Sequence, residues 1–291
     1  MPLEPGIYFG LDQSLYHNDP ALNASGIKAF IEHPLTYWQQ SHFNPNRKRW
    51  EPTKDMKTGT AKHKLLLEED TFFDDYCVIP KSIFDPNKAI INEIEYNKLL
   101  DQINVVRSMP KVYRFFNGGK SEVTIVYDDK NGIRCKTRHD YMLPFVTIDY
   151  KDIDNIDGEF IKRQSRKFGY AISNVLYLES RKLIRKALKE GTASIYSCDG
   201  KPIDEHWLTS FVESKMDDVL YFYQKRKPPY PIRIIRWSQQ TYLRAESDVY
   251  NAKSDYLRAI TAYPDGKWPV SEGVIEEFDE LYGSMTNPNG E

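Results

Sequence analysis

Residues 134–151 read RCKTRHDYMLPFVTIDYK, and the reading of this stretch decides the fold. Successive side chains of a strand point to opposite faces, so an extended run from Ile133 to Met142 sets Arg134, Lys136, Arg138 and Asp140 on one face. Leu143-Pro144 interrupts the run, and Val146 to Lys151 begins a second strand. On that strand Asp149 and Lys151 point together while Tyr150 points away. An antiparallel first strand ending near Asp140 would bring a second carboxylate to the same spot. Two carboxylates and a backbone carbonyl make a hard-oxygen site suited to magnesium or manganese. Such an ion acidifies a water and offsets charge growing on a phosphate, and a neighbouring lysine can orient that water. Asp140, Asp149 and Lys151 are therefore the candidate catalytic set for phosphodiester hydrolysis. The same pattern also arises by chance, because acidic residues commonly decorate strand ends.

Working outward, Glu122 to Tyr127 reads as the preceding strand through its β-branched run Val123, Thr124, Ile125 and Val126, with a hairpin turn at Asp129 to Gly132. Residues 85–117 read as helical. Thr58 to Glu69 is a helix whose apolar side is Ala61, Leu65, Leu66 and Leu67, and it contains His63. The first 50 residues are broken by Pro5, Pro20, Pro34 and Pro45, and they read as an N-terminal arm, about 1–55, with one helix through Gly26 to Glu32 capped by Ser25. Downstream, Phe168 to Leu188 has helical spacing with Tyr170, Ser173 and Tyr177 on one side. Val219 to Tyr223 and Ile232 to Trp237 read as strands around the turn KRKPPYP, and Gln240 to Tyr263 as a long helix. This order is mixed α/β. With no repeat, low-complexity tract or clear linker, residues 1–291 read as a single domain.

The chain has 291 residues, 40% of them apolar and 28% charged, which is enough apolar material for a core and excludes a disordered chain. It contains no run of about 18 apolar residues and opens without the basic and apolar blocks of a signal peptide, so we expect a cytoplasmic protein with no membrane partner. Cys77, Cys135 and Cys198 lie far apart without CxxC spacing, which indicates neither a disulfide framework nor a zinc site. A formal charge of −2 argues against a nucleic-acid ligand until its distribution is considered. Acidic residues cluster at Glu68–Asp75 and Asp149–Asp157, whereas Lys162–Lys167 and Arg181–Lys189 are basic. Those basic runs are candidate tracks for a DNA backbone, although exposed charged helix faces are commonly just solvated.

Several segments, in order, resemble the exonuclease VIII (RecE-type) family of PD-(D/E)XK nucleases known from phage and prophage recombination systems. They are GIY (6–8), YHNDPALNASGIKAFIEHPLTYW (16–38), KTGTAKHKLLLEE (57–69), SEVTIVYDDKNGIRCKTRHD (121–140), IDYKD (148–152), GYAISNVLY (169–177), FYQKRKPPYPIRI (222–234) and GKWP (266–269). The resemblance implies a restriction-endonuclease-like core, a mixed central sheet flanked by helices, with N- and C-terminal additions. It places metal ligands on His63, Asp140, Asp149 and the Tyr150 carbonyl, and the catalytic lysine on Lys151. It also implies an active-site or DNA-contacting role for Glu122, Ser173 and Tyr177. Ser173 replaces the family's glutamine, His139 replaces the proline before the metal-binding aspartate, and Ser180–Met216 follows the pattern poorly. The implied activity is a magnesium-dependent (or manganese-dependent) exodeoxyribonuclease that digests linear double-stranded DNA from its 5′ ends in homologous recombination. The implied partners are DNA ends, a single-strand annealing protein and further copies of the chain in a homotetramer. Two other readings stay open: a nuclease of different specificity, and a non-catalytic DNA-end-binding or assembly protein.

Overall fold

The computed structural model describes residues 2–48, 51–264, 266 and 268. Its strands are β1 (Gly6–Phe9), β2 (Tyr76–Ile79), β3 (Ala89–Asn92), β4 (Lys120–Asp128), β5 (Arg134–Met142), β6 (Val146–Ile153), β7 (Ser194–Ser197), β8 (Asp218–Lys225) and β9 (Ile232–Ile235). The helices are α1 (Gln13–Asn18), α2 (Ala24–Glu32), α3 (Pro34–Gln40), α4 (Lys54–Leu67), α5 (Phe72–Asp75), α6 (Glu93–Arg107), α7 (Pro110–Tyr113), α8 (Gly158–Phe168), α9 (Tyr170–Lys189), α10 (Glu205–Glu213) and α11 (Gln239–Ala262).

Seven strands form a mixed sheet in the order β7-β1-β4-β5-β6-β8-β9, and β2 pairs with β3 separately. The β4–β5 hairpin turns where the Asp129 side chain accepts from the Asn131 and Ile133 amides and Gly132 takes a φ of 78°. Proline at 144 ends β5 as the sequence indicates, and β6 runs back beside it through Tyr141–Ile148 and Met142–Thr147. β6 then pairs in parallel with β8 over its whole length, from Val146–Asp218 to Ile153–Lys225. A strand so enclosed is buried on both faces, with Val146, Ile148 and Tyr150 on one and Thr147, Asp149 and Ile153 on the other.

Helices cover both faces. On one, Val175, Leu176 and Ile184 of α9, Phe30 of α2, Tyr37 of α3 and Val249 of α11 pack on Val123, Ile125 and Tyr127. On the other, Leu65 of α4 and Leu99, Ile103 and Val106 of α6 pack on Ile148, Tyr150 and Phe222. The mixed sheet flanked by helices is the architecture expected from the sequence.

Several elements differ from expectation. The N-terminal segment carries three helices and inserts β1 into the sheet, antiparallel to β4 and parallel to β7, where an arm with one helix was expected. The α2 cap is Asn23, whose side chain accepts from the Gly26 amide, two residues before the expected Ser25. Residues 85–117 begin with β3, because Ala89–Asn92 finds a parallel partner in Tyr76–Ile79 that no local pattern reveals. The helix expected over Phe168–Leu188 is broken at Gly169 (φ 60°), and residues 158–168 form a helix of their own. The poorly matching stretch 180–216 supplies the rest of α9, the edge strand β7 and α10. Of GKWP, Lys267 and Pro269 lie outside the described residues, while Trp38 Nε1 donates to the Gly266 carbonyl at 2.5 Å. All three cysteines are free thiols, and no helix among the described residues is long and apolar enough to cross a membrane.

The basic run 181–189 turns partly inward. Arg181 is fully buried, pairs with Asp217 at 2.6 Å and donates to the Leu143 and Pro144 carbonyls at the β5–β6 turn. Breaking a buried ion pair from one side strands the groups it satisfied. Arg181→Ala is therefore expected to lower the unfolding free energy by about 3 kcal/mol in urea denaturation. A loss under about 1 kcal/mol would mean that water replaces the guanidinium at the turn.

Candidate active site

The β4/β5 ladder pairs Ser121 with Tyr141 and Val123 with His139, which sets Glu122 opposite Asp140. Glu122 breaks the regular strand conformation with a φ of 49°, a left-handed value that a non-glycine residue holds only where its surroundings impose it. Its carboxylate approaches His63 Nδ1 at 3.4 Å. His63 reaches the site from α4, with Nε2 3.2 Å from the Tyr150 carbonyl and 3.9 Å from Asp140 Oδ2. One ligand atom each from His63, Glu122 and Asp140 can lie within 4.8 Å of one another.

From β6, Asp149 and Lys151 point together, with Lys151 Nζ 2.6 Å from Asp149 Oδ1 and 3.7 Å from Asp140 Oδ2. The Tyr150 amide donates to Asp140 Oδ2 at 2.9 Å, so the strand between the two acids ties them together. Tyr177, one side chain inward on α9, donates its hydroxyl to Asp149 Oδ2 at 3.2 Å. Its other neighbour is the ring of His139, with centroids 4.7 Å apart. His139 is buried among the Thr137, Thr147 and Ser180 hydroxyls, and burial beside Arg181 holds its pKa well below the ordinary value. A neutral imidazole thus precedes Asp140 on β5.

The charges explain one another. Burial raises the Asp149 pKa, as does Asp140, while the ammonium of Lys151 opposes the rise. Burial would depress Lys151, but Asp140 and Asp149 outweigh it and keep the lysine cationic. For His63, burial is likewise outweighed by Asp140 and Glu122, and its pKa is raised from 6.5 to about 9. Three carboxylates against one lysine and one imidazole leave the cluster attractive to a cation.

The structure therefore gathers His63, Glu122, Asp140, Asp149, Lys151 and the Tyr150 carbonyl at one place. Tyr177, given an active-site or DNA-contacting role from sequence, touches this cluster through Asp149. Ser173, one turn earlier on α9, instead lines a cavity of about 520 Å³ together with Lys28, Lys136 and Arg138. The sequence reading missed Lys62. Its ammonium is buried, pairs with Asp152 and donates to Gln224 Oε1 at 2.9 Å, while Tyr150 donates its hydroxyl to the same oxygen. Burial lowers its pKa to about 8 despite Asp152. A lysine on an otherwise apolar helix side, next to a candidate ligand, was the only signal available.

A family model described as a PDDEXK-like domain of unknown function matches residues 24–222. The chain belongs to that family. The match spans every element of this cluster, from α4 through β4, β5 and β6 to α9. No curated protein sequence matches. A crystal structure named "Putative exonuclease", from Eubacterium rectale, superposes with a TM-score of 0.57 over 86% of each chain at 16% identity, a likeness of fold.

The donors of this PDDEXK-like chain fit an oxygen-preferring divalent cation. Asp149 Oδ1 is buried and, although it faces the lysine ammonium, makes no well-directed hydrogen bond. When bound, such an ion supplies Lewis acidity toward water and phosphate oxygens. His63 would bind it as neutral imidazole through one nitrogen, with Glu122, Asp140 and Asp149 as the carboxylate donors.

Two outcomes test this arrangement. Without metal, the raised His63 pKa makes its imidazolium stabilising below the unfolded value of 6.5, a contribution lost as pH rises through about 9. In EDTA, wild type should lose more thermal stability across that window than His63→Gln; parallel melting profiles of the two proteins would refute it. Tyr177→Phe frees Asp149 and should weaken manganese binding about tenfold in calorimetry with little change in stability. Equal affinities would leave the hydroxyl no part in positioning the carboxylate.

Proposed function

We propose that the protein is a magnesium- or manganese-dependent exodeoxyribonuclease that hydrolyses phosphodiester bonds of linear double-stranded DNA. The observation carrying this reading is the convergence of Asp140, Asp149 and Lys151 with His63 and Glu122 on the central strands β4, β5 and β6 and helix α4. In this reading the carboxylates and His63 hold the cation, and Asp149 keeps one orientation because Tyr177 donates to it. Lys151, cationic between two acids, has its ammonium beside the carboxylates. There it can donate to the attacking water or to the phosphate oxygen that gains charge.

Digestion from 5′ ends, a part in homologous recombination, a strand-annealing partner, a homotetrameric assembly and a cytoplasmic location extend this proposal. Their support is the ordered resemblance to the exonuclease VIII family, from GIY at 6–8 to FYQKRKPPYPIRI at 222–234. The name of the Eubacterium rectale structure agrees with an exonuclease reading. The Ser173 substitution removes a long amide from α9 and leaves the metal and lysine positions intact.

Nucleotide release from linear duplex and from a covalently closed circle of equal mass decides between the readings. We expect release from the linear duplex alone, abolished by EDTA and by Asp149→Ala. Cutting of the circle would make the protein an endonuclease, and DNA binding without release under any divalent ion would make it a binding protein.

A further inference from the structure

Phe168 is the last residue of α8, and its side chain is 45% exposed. The corner that presents it is tightly built. Gly169, at φ 60°, separates α8 from α9, and a β-carbon there would meet Lys28 Cδ at 2.7 Å. Lys28 in turn donates its ammonium to the Phe168 carbonyl at 2.6 Å, so helix α2 braces the corner from behind.

The ring also has an ordered relation to the catalytic lysine. Phe168 stacks on Tyr170 with centroids 5.8 Å apart and planes 22° apart. Tyr170 stacks on Tyr221 at 6.0 Å and 26°, and Lys151 Nζ lies 5.7 Å from the Tyr170 centroid. An aromatic column therefore runs from the catalytic lysine to solvent and ends in Phe168. A cation stands beside that end: Lys167 Nζ is 5.5 Å from the Phe168 centroid, and Arg166, also exposed, belongs to the same last turn of α8. A lone exposed apolar side chain needs no explanation. One that caps a stack leading from the active site and sits beside a cation matches what a single nucleic-acid strand requires, a π-face for a base and positive charge for its phosphates.

We propose that Phe168 stacks on a nucleobase beside the phosphate held at Lys151, with Arg166 and Lys167 meeting the adjoining backbone. This rests on the reading that the protein acts on DNA. Every base has a π-face, so the contact adds affinity without choosing sequence. It also gives a terminal base a place to go when it leaves its pair, which fits a substrate attacked at its end.

The test uses Asp149→Ala protein, which should hold DNA without cutting it, and a duplex carrying 2-aminopurine near one end. Binding should quench the probe. Adding Phe168→Ala or Phe168→Leu should abolish the quench and weaken binding about tenfold, while Phe168→Trp should restore both. Leucine keeps the apolar bulk and loses the π-face, so it separates stacking from packing and guards against a poorly folded alanine variant. Normal quench and affinity in the leucine variant would overturn the stacking contact and leave the nuclease reading standing. Failure of the Asp149→Ala protein itself to bind DNA would overturn the nucleic-acid reading, and this proposal with it.

Discussion

Three carboxylates cannot share a half-buried corner unless something offsets their mutual repulsion. Here the compensation comes from the same short stretch of chain. Lys151 stands between Asp140 and Asp149, and the Tyr150 amide between them donates to Asp140. The β6 residues 149–151 thus supply an acid, a donor and a cation in sequence, and the strand alternation that separates them in direction also aims them at one point. The remaining acid, Glu122, is answered by His63. Its left-handed backbone costs about 1–3 kcal/mol and persists because regular ladder pairs hold β4 on either side.

Since His63 arrives on a separate helix, the rotation of α4 has to be set as closely as the register of the strands. Lys62 does this. Its buried ammonium reaches Asp152 and Gln224, on the neighbouring strands β6 and β8, and lies 4.7 Å from the Tyr150 ring. Such a pair is a weak source of stability, because desolvation cancels much of its attraction. It is directional, however, and a helix pinned at residue 62 presents residue 63 in one orientation only. Leu65 and Leu66 supply the apolar docking, and the ion pair supplies the angle.

The legible parts were those governed by local periodicity. Alternation over 134–151 places Asp149 beside Lys151, and the helical spacing around His63, Tyr177 and the long C-terminal helix agrees with α4, α9 and α11. What escaped reading depends on non-local partners. β1 exists because Gly6–Phe9 fits between β4 and β7, and β3 because it lies against β2; four residues carry too little pattern to announce either. The break at Gly169 is visible only as a glycine inside helical spacing, and its necessity comes from the Lys28 stem packed against it. The acidic cluster was nearly complete in sequence, but the bond from the Tyr177 hydroxyl to Asp149 was not legible, since it joins α9 to β6 across 28 residues.

The near-neutral composition can now be set against the polyanionic substrate proposed for the protein. Both arginines in the run 181–189 are consumed by the fold, for Arg181 and Arg185 bind Asp217 and Arg181 also holds the β5–β6 turn. Lys62 and Lys253 are also buried in ion pairs, the latter with Glu179 at 2.6 Å and Asp129 at 3.3 Å. A count of lysines and arginines therefore overstates the charge free to meet DNA. Lys136 is likewise buried, its ammonium donating to the Tyr16 and Asp19 carbonyls, whereas the exposed face of α8 carries Lys162, Arg163, Arg166 and Lys167. Local concentration of charge, not the net value, sets the attraction for a polyanion, so a net charge near zero does not conflict with the proposed substrate.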